Sequence, residues 1–175
     1  DTTTNVDAAR RQAVRQAKAI LQGFGLTIHP VAVEEELEAD MGDGVVLRGH
    51  LDIREADRIL DAKTGTIQRA NQAQYGGYSL LATANDLEVS RLGEIYVKRT
   101  GPTRPQPDAI LTEYPKAECE QVAWVTAQRI KRDILQFREE GDAWVFLPNP
   151  NSMMCSPDYC PAWGTEFCKS HMERK

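Results

Sequence analysis

"GHLDIREADRILDAKTG", residues 49–65, places Asp52, Asp61 and Lys63 inside two apolar runs, "VVLRGHLDI" and "RILDAKTG", where a folded chain normally buries Val, Ile or Leu. Side chains two apart on a strand share a face, so Asp61 and Lys63 point the same way. Asp52 falls on the preceding strand, and a short hairpin through "READ" brings its carboxylate beside Asp61. Two carboxylates converging on one point repel each other unless a cation joins them. Mg²⁺ suits such a pair, because it is held by one or two carboxylates, keeps several waters and takes phosphate oxygens. A lysine beside that ion positions or deprotonates an attacking water and offsets charge building on a pentavalent phosphorus. The pattern reads as metal-assisted phosphodiester hydrolysis. D-x-K by itself is also common as an exposed ion pair. The apolar setting favours the chemistry, since buried charges persist when they are paired or bind a metal.

Outward from this stretch, the periodicity divides the chain into elements. Upstream, "VDAARRQAVRQAKAILQGFG" spaces Val6, Ala9, Ala13, Ala17, Ile20 and Leu21 as one amphipathic helix, with Gly23 as a stop. "LTIHPVAVEEELEADMGDGVVLRGHLDI" alternates as two antiparallel strands around the turn "MGDG". "DRILDAKTG" is a third strand ending at Thr64 and Gly65, and "IQRANQAQYGGYSLLATAND" reads as a helix despite Gly76 and Gly77. "EVSRLGEIYVKRT" and "DAILTEYP" are strands joined by the Pro-rich link "TGPTRPQP", and a long helix is predicted from about Pro115 to Glu140. The order predicts one α/β (α+β) domain over residues 1–175: a mixed central β-sheet flanked by helices, with 149–175 as a cysteine-containing tail.

Composition sets the bounds. The 175 residues are 41% hydrophobic, enough for one packed core. No apolar run approaches the ~20 residues of a membrane-spanning helix. The net charge of −5 argues against wholesale coating by nucleic acid but allows a local basic groove. The chain opens on Asp1 and shows neither the basic start nor the apolar stretch of a signal peptide, so it is expected to be a processed product or a piece of a longer protein.

"GHLDIREADRILDAKTG" followed by "NQAQYGGYSLLA" resembles the core of the RecB-like branch of the PD-(D/E)xK nuclease superfamily, in which a G-x-x-D strand leads to a D-x-K-T-G strand and a helix bearing Q-x-x-x-Y. The likeness covers roughly residues 33–98. It implies a restriction-endonuclease-like core, with Asp52 as the first metal-binding acid, Asp61 and Lys63 as the D-x-K pair, and Gln74 and Tyr78 as the helix motif. It also implies a DNA nuclease dependent on Mg²⁺ or Mn²⁺, often exonucleolytic. Such an enzyme would work in the cytoplasm of a bacterium or phage host, in recombination, repair or phage DNA processing, beside a helicase, recombinase or single-strand annealing protein. The family's upstream helix, with a histidine or glutamate after a Gly, has no counterpart before Asp52, so an N-terminal segment is expected to be lacking. Gln74 and Tyr78, four apart, share one helical face and would bind a phosphate or hold the lysine. The rival expectation is a nuclease fold kept as a non-catalytic scaffold or nucleic-acid-binding module.

The tail "NPNSMMCSPDYCPAWGTEFCKSH" spaces Cys155, Cys160 and Cys168 as C-x4-C-x7-C. Thiolates gathered in a loop-rich segment suit an iron–sulfur cluster or structural zinc. Several RecB-like nucleases, the AddB-type and CRISPR-associated exonucleases among them, use three C-terminal cysteines and one far upstream for a 4Fe-4S cluster; the resemblance here is looser in spacing. His171 could instead complete a zinc site, and Cys119 reads as a buried thiol in a helix. Arg48, Arg69, Lys98 and Arg99 are the basic residues expected to track a DNA backbone.

Overall fold

The strands and helices follow the order that the periodicity predicts, although α1 runs through Gly23, the expected stop, to Phe24 and is capped at Gly25. The computed structural model describes residues 5–142, 145, 156–160 and 163–165. The order is α1 (Val6–Phe24), β1 (Ala32–Asp40), β2 (Val46–Arg54), β3 (Arg58–Gly65), α2 (Gln72–Ala84), β4 (Arg91–Lys98), β5 (Ile110–Tyr114) and α3 (Lys116–Glu140). The chain divides into two compact units, Asp1–Ala127 and Gln128–Lys175. The first contains the whole sheet. In the second, α3 ends at Glu140 and is followed by Gly141 in left-handed backbone at φ 69°, and a turn lies at Ser156–Cys160.

The five strands lie in the order β1-β2-β3-β4-β5, antiparallel except for the parallel pair β3–β4. A parallel pair needs a crossover, which α2 supplies. The fold is therefore α+β with a mixed central sheet. Gly42 and Gly44, at φ 81° and 69°, close the β1–β2 turn that "MGDG" predicts. α1 is capped by Asn5, whose side chain accepts the Asp7 and Ala8 amides.

Two apolar layers flank the sheet. Leu60, Ile95, Val97 and Ala109 pack with Ala19, Ile20 and Phe24 of α1. On the other face Leu37, Leu51, Ile59 and Leu92 pack with Tyr75, Leu81 and Ala82 of α2 and Cys119 of α3. Gly76 explains how a helix tolerates the Gly-Gly pair: a Cβ there would stand 1.9 Å from the Cys119 carbonyl oxygen, so only glycine permits this approach of α2 to α3. The α1 stripe departs from the sequence expectation. Val6, Ala9, Ala13, Ala17 and Leu21 are exposed, and the helix turns Gln16 and Ala19 toward the sheet instead. Gln16 is buried there with its amide 3.5 Å from the Val97 carbonyl, so a polar residue occupies the seat that apolar periodicity assigns elsewhere.

One irregularity shapes the site. β2 and β3 pair only at Ile53–Leu60 and Arg54–Ile59, beyond which the ladder opens. Leu51 and Ile53 should share a face, yet Leu51 packs on the α2 side and Ile53 on the α1 side. The alternation breaks at Asp52, opposite Glu34, which takes left-handed backbone at φ 51°.

Candidate active site

Asp61 and Lys63, on one face of β3, meet α2 where the β2–β3 ladder opens. Asp61 is 1% exposed. Lys63 Nζ donates to Asp61 Oδ1 at 3.0 Å and lies 2.9 Å from Oδ2. Gln74 Nε2 donates to the same Oδ1 at 3.0 Å and to Tyr78 Oη at 2.5 Å. Oδ1 is thus served twice. Oδ2 is buried and meets the Lys63 ammonium as an ion pair at 2.9 Å, with no further hydrogen-bond donor. Asp52 reaches across the opened ladder, and its Oδ2 accepts the Ala62 amide at 2.8 Å, replacing a strand–strand bond with a carboxylate. The structure therefore brings together Asp52, Asp61, Lys63, Gln74 and Tyr78. Gln74 holds the aspartate rather than the lysine.

The electrostatics follow from burial. Desolvation pushes the Asp61 carboxyl above its ordinary range; the Lys63 hydrogen bond and charge pull it back in part, while Asp52 and Glu94 add repulsion. For Lys63 burial works against the charge, but the Asp61 hydrogen bond and the surrounding negative groups prevail, and its pKa is raised. Burial also raises the Tyr78 phenol, with the Gln74 hydrogen bond opposing. Asp61 is a carboxylate whose burial outweighs the Lys63 charge beside it, and Lys63 is firmly an ammonium.

Glu94 belongs to this neighbourhood and went unread in the sequence. It is the parallel-register partner of Asp61 and is fully buried. Tyr75 Oη donates to its Oε2, and Gln68 Nε2 donates to Oε1 at 2.9 Å and contacts Thr112 Oγ1 at 3.1 Å. Tyr75 in turn stacks on Tyr114 with centroids 4.8 Å apart. Both oxygens of Glu94 are satisfied, which ties the β3–α2 loop and α2 to β4. A lone acid within "RLGEIYVK" was the available signal, of the same kind that singled out Asp61.

The donor set tests the fit of a divalent ion. Among the described residues no group of three or more His, Cys, Asp or Glu is placed to hold a metal. The set is two carboxylates, Asp52 and Asp61, with one buried oxygen left without a hydrogen bond. That suits Mg²⁺ or Mn²⁺, which fill their remaining positions with water and phosphate, and does not suit a closed all-protein cage.

The remaining expected residues lie apart from this group. Arg48, four residues and hence about 13 Å up β2 from Asp52, is ion-paired with Glu36 and Glu38 of β1. Arg69 is exposed in the β3–α2 loop, and Lys98 and Arg99 are exposed at the end of β4. Cys119 is a fully buried thiol whose pKa burial raises. Cys160 is a half-buried free thiol, while Cys155, Cys168 and His171 lie outside the described residues. No described helix is long and apolar enough to cross a membrane.

No protein-family model and no curated protein matches the chain. Its fold is similar to the crystal structure of a "putative exonuclease" from Eubacterium rectale, with a TM-score of 0.55 and 12% identity over 85% of this chain. The match spans 64% of the length of that protein.

Proposed function

We propose that the chain is a divalent-metal-dependent DNA nuclease of the RecB-like PD-(D/E)xK type, acting as an exonuclease on phosphodiester bonds. The observation that carries this reading is the buried Asp61 Oδ2 left without a hydrogen bond between Asp52 and Lys63. That oxygen is held by the Lys63 ammonium alone at 2.9 Å, and desolvation still outweighs this and keeps the carboxyl above its ordinary range. Sites that retain such a cost are commonly functional, and the left-handed Glu34 opposite Asp52 is a second local cost of the same kind. The "putative exonuclease" that shares the fold supports the same reading.

Asp52 and Asp61 would hold the ion. When bound, it would supply Lewis-acid polarisation of the scissile phosphate and would help activate water. The residues do the rest. Gln74 fixes the Asp61 carboxylate from one side, and Tyr78 fixes Gln74. Lys63, kept protonated by Asp61, is suited to orient the attacking water and to stabilise negative charge on the phosphoryl oxygens, not to remove a proton. Arg69, Lys98 and Arg99 are proposed to meet the DNA backbone. In the tail, Cys155, Cys160 and Cys168 are proposed to hold an iron–sulfur cluster or zinc. An anaerobic preparation containing iron or zinc that is lost in Cys160→Ser supports that proposal; one containing neither refutes it. The nuclease reading is tested with end-labelled DNA in Mg²⁺ or Mn²⁺: degradation that stops with a chelator is expected. DNA binding without cleavage in any divalent metal would point to the scaffold reading.

A further inference from the structure

The link between β4 and β5 is more firmly built than a connection requires. Arg15 of α1 donates to four acceptors along it: the Thr100 hydroxyl at 3.0 Å, the carbonyls of Gly101 and Pro102 at 3.4 Å each, and that of Arg104 at 2.5 Å. A turn closes beneath this fork, the Arg104 amide donating to the Gly101 carbonyl at 3.1 Å. Gln106 donates to the Lys98 carbonyl at 2.8 Å, and Gln12 of α1 to Gln106 at 3.3 Å. Pro102, Pro105 and Pro107 stiffen the rest. Such ordering stabilises the fold, and in a binding loop it also adds affinity.

The charge it presents is one-sided. Lys98, Arg99 and Arg104 are exposed, and no acid occurs from Lys98 to Pro107, in a chain whose net charge is −5. Its position is adjacent to the candidate site. Gly65 pairs with Lys98 and Lys63 with Tyr96; the Arg99 amide donates to the Gly65 carbonyl at 2.6 Å and Tyr96 Oη to the same oxygen at 2.8 Å. The loop thus leaves the sheet at the end of the strand that carries Lys63. The far edge differs: β1 is rich in glutamate, and Arg48 is engaged there by Glu36 and Glu38.

We infer that residues 98–106, pinned to α1 by Arg15, form a preorganised basic shelf that carries the phosphate backbone of a nucleic-acid strand to the Asp61–Lys63 site. Arg99 and Arg104 contact phosphates, and Arg15 is a positioning residue that shapes the shelf. This inference rests on the nucleic-acid reading above and adds the route of the strand, across the β3–β4 end of the sheet and away from β1.

The test is the binding of a fluorescein-labelled single-stranded oligonucleotide to the full chain in EDTA, followed by anisotropy across a salt series. Arg99→Gln with Arg104→Gln should flatten the salt slope by about 1.4 and weaken binding at 0.1 M salt roughly 25-fold, the share of two single-strand phosphate contacts. Arg15→Lys keeps the charge and loses the planar fork. It should weaken binding about fivefold, as when one contact is lost, whereas Arg48→Gln should leave binding unchanged. The shelf is refuted if the double variant binds like wild type, if Arg15→Lys has no effect, or if Arg48→Gln matches Arg104→Gln. Unchanged binding by the shelf variants of a chain that still cleaves DNA refutes the shelf alone. A full shelf effect in a chain that binds DNA but cleaves it in no divalent metal refutes the nuclease reading alone.

Discussion

Both ends of the short β2–β3 ladder bury a carboxylate beside a cation, and they are finished differently. At its turn end, Glu55 and Arg58 are 7% and 8% exposed. Glu55 Oε1 accepts the His29 amide at 2.6 Å and Oε2 accepts Arg58 Nε at 2.6 Å. The network continues outward through Glu113 to Arg91 and Asp57. At the other end Asp61 has one oxygen served twice and the other left without a hydrogen bond, with two more acids, Asp52 and Glu94, acting on it. Burial of charge is common to both ends. What separates them is the hydrogen-bond inventory, complete at Glu55 and incomplete at Asp61, where the proposed function places a metal ion.

Substitutions at the two ends should therefore divide activity from stability. The largest effect is expected from Lys63→Ala: removing a positioned group that stabilises developing charge should slow cleavage per folded molecule by about 10²–10³-fold, beyond any stability lost by leaving Asp61 without its cation. Cleavage within a few-fold of wild type would remove Lys63 from the chemistry. Arg58→Ala should do the reverse. Stranding Glu55 as an uncompensated buried charge should cost about 3–5 kcal/mol in denaturant unfolding, with the rate per folded molecule unchanged.

A smaller effect sharpens the contrast. Asp61→Asn, which removes the buried charge, should raise stability at neutral pH relative to acid. The sign follows from linkage. The folded Asp61 pKa lies above the unfolded value, so the carboxylate costs stability once pH exceeds the unfolded value of about 3.9. That cost grows until pH passes the folded pKa. The gain from Asp61→Asn should accordingly be full near neutral pH and absent below about pH 4. A gain that persists in acid would show that charge is not its cause. The smallest effect belongs to Glu35, whose carboxyl the Arg54 hydrogen bond holds below its usual range against some desolvation. That pair stabilises above the unfolded Glu value and is lost as pH falls through the lowered one. Arg54→Gln should flatten this acid limb by no more than about 1 kcal/mol.

The element order was legible because each strand and helix carries its own period and its own turn residues, "MGDG" and "READ" included. The pairing of Asp61 with Lys63 follows directly from strand alternation, as does the proximity of Gln74 and Tyr78 from the helical repeat. What stayed hidden depends on contacts distant in sequence. The sheet-facing side of α1 is set by Gln16 meeting Val97, which overrides an apolar stripe at Val6, Ala9, Ala13 and Ala17. The break in alternation at Asp52 has no mark in "HLDIR". Glu94 becomes tolerable in a buried strand only because Tyr75 and Gln68 arrive from elsewhere. Arg15 was one basic residue among several on a helix until the loop it clamps came into view.

The most direct test of the incomplete end is a Mn²⁺ titration by calorimetry on the full chain without DNA, comparing wild type, Asp61→Asn and Lys63→Ala. The account predicts that wild type binds the ion, that Asp61→Asn weakens binding at least ~10-fold, the scale of losing a ligand or its support, and that Lys63→Ala binds as well as wild type or more tightly. Equal affinity for wild type and Asp61→Asn would contradict it.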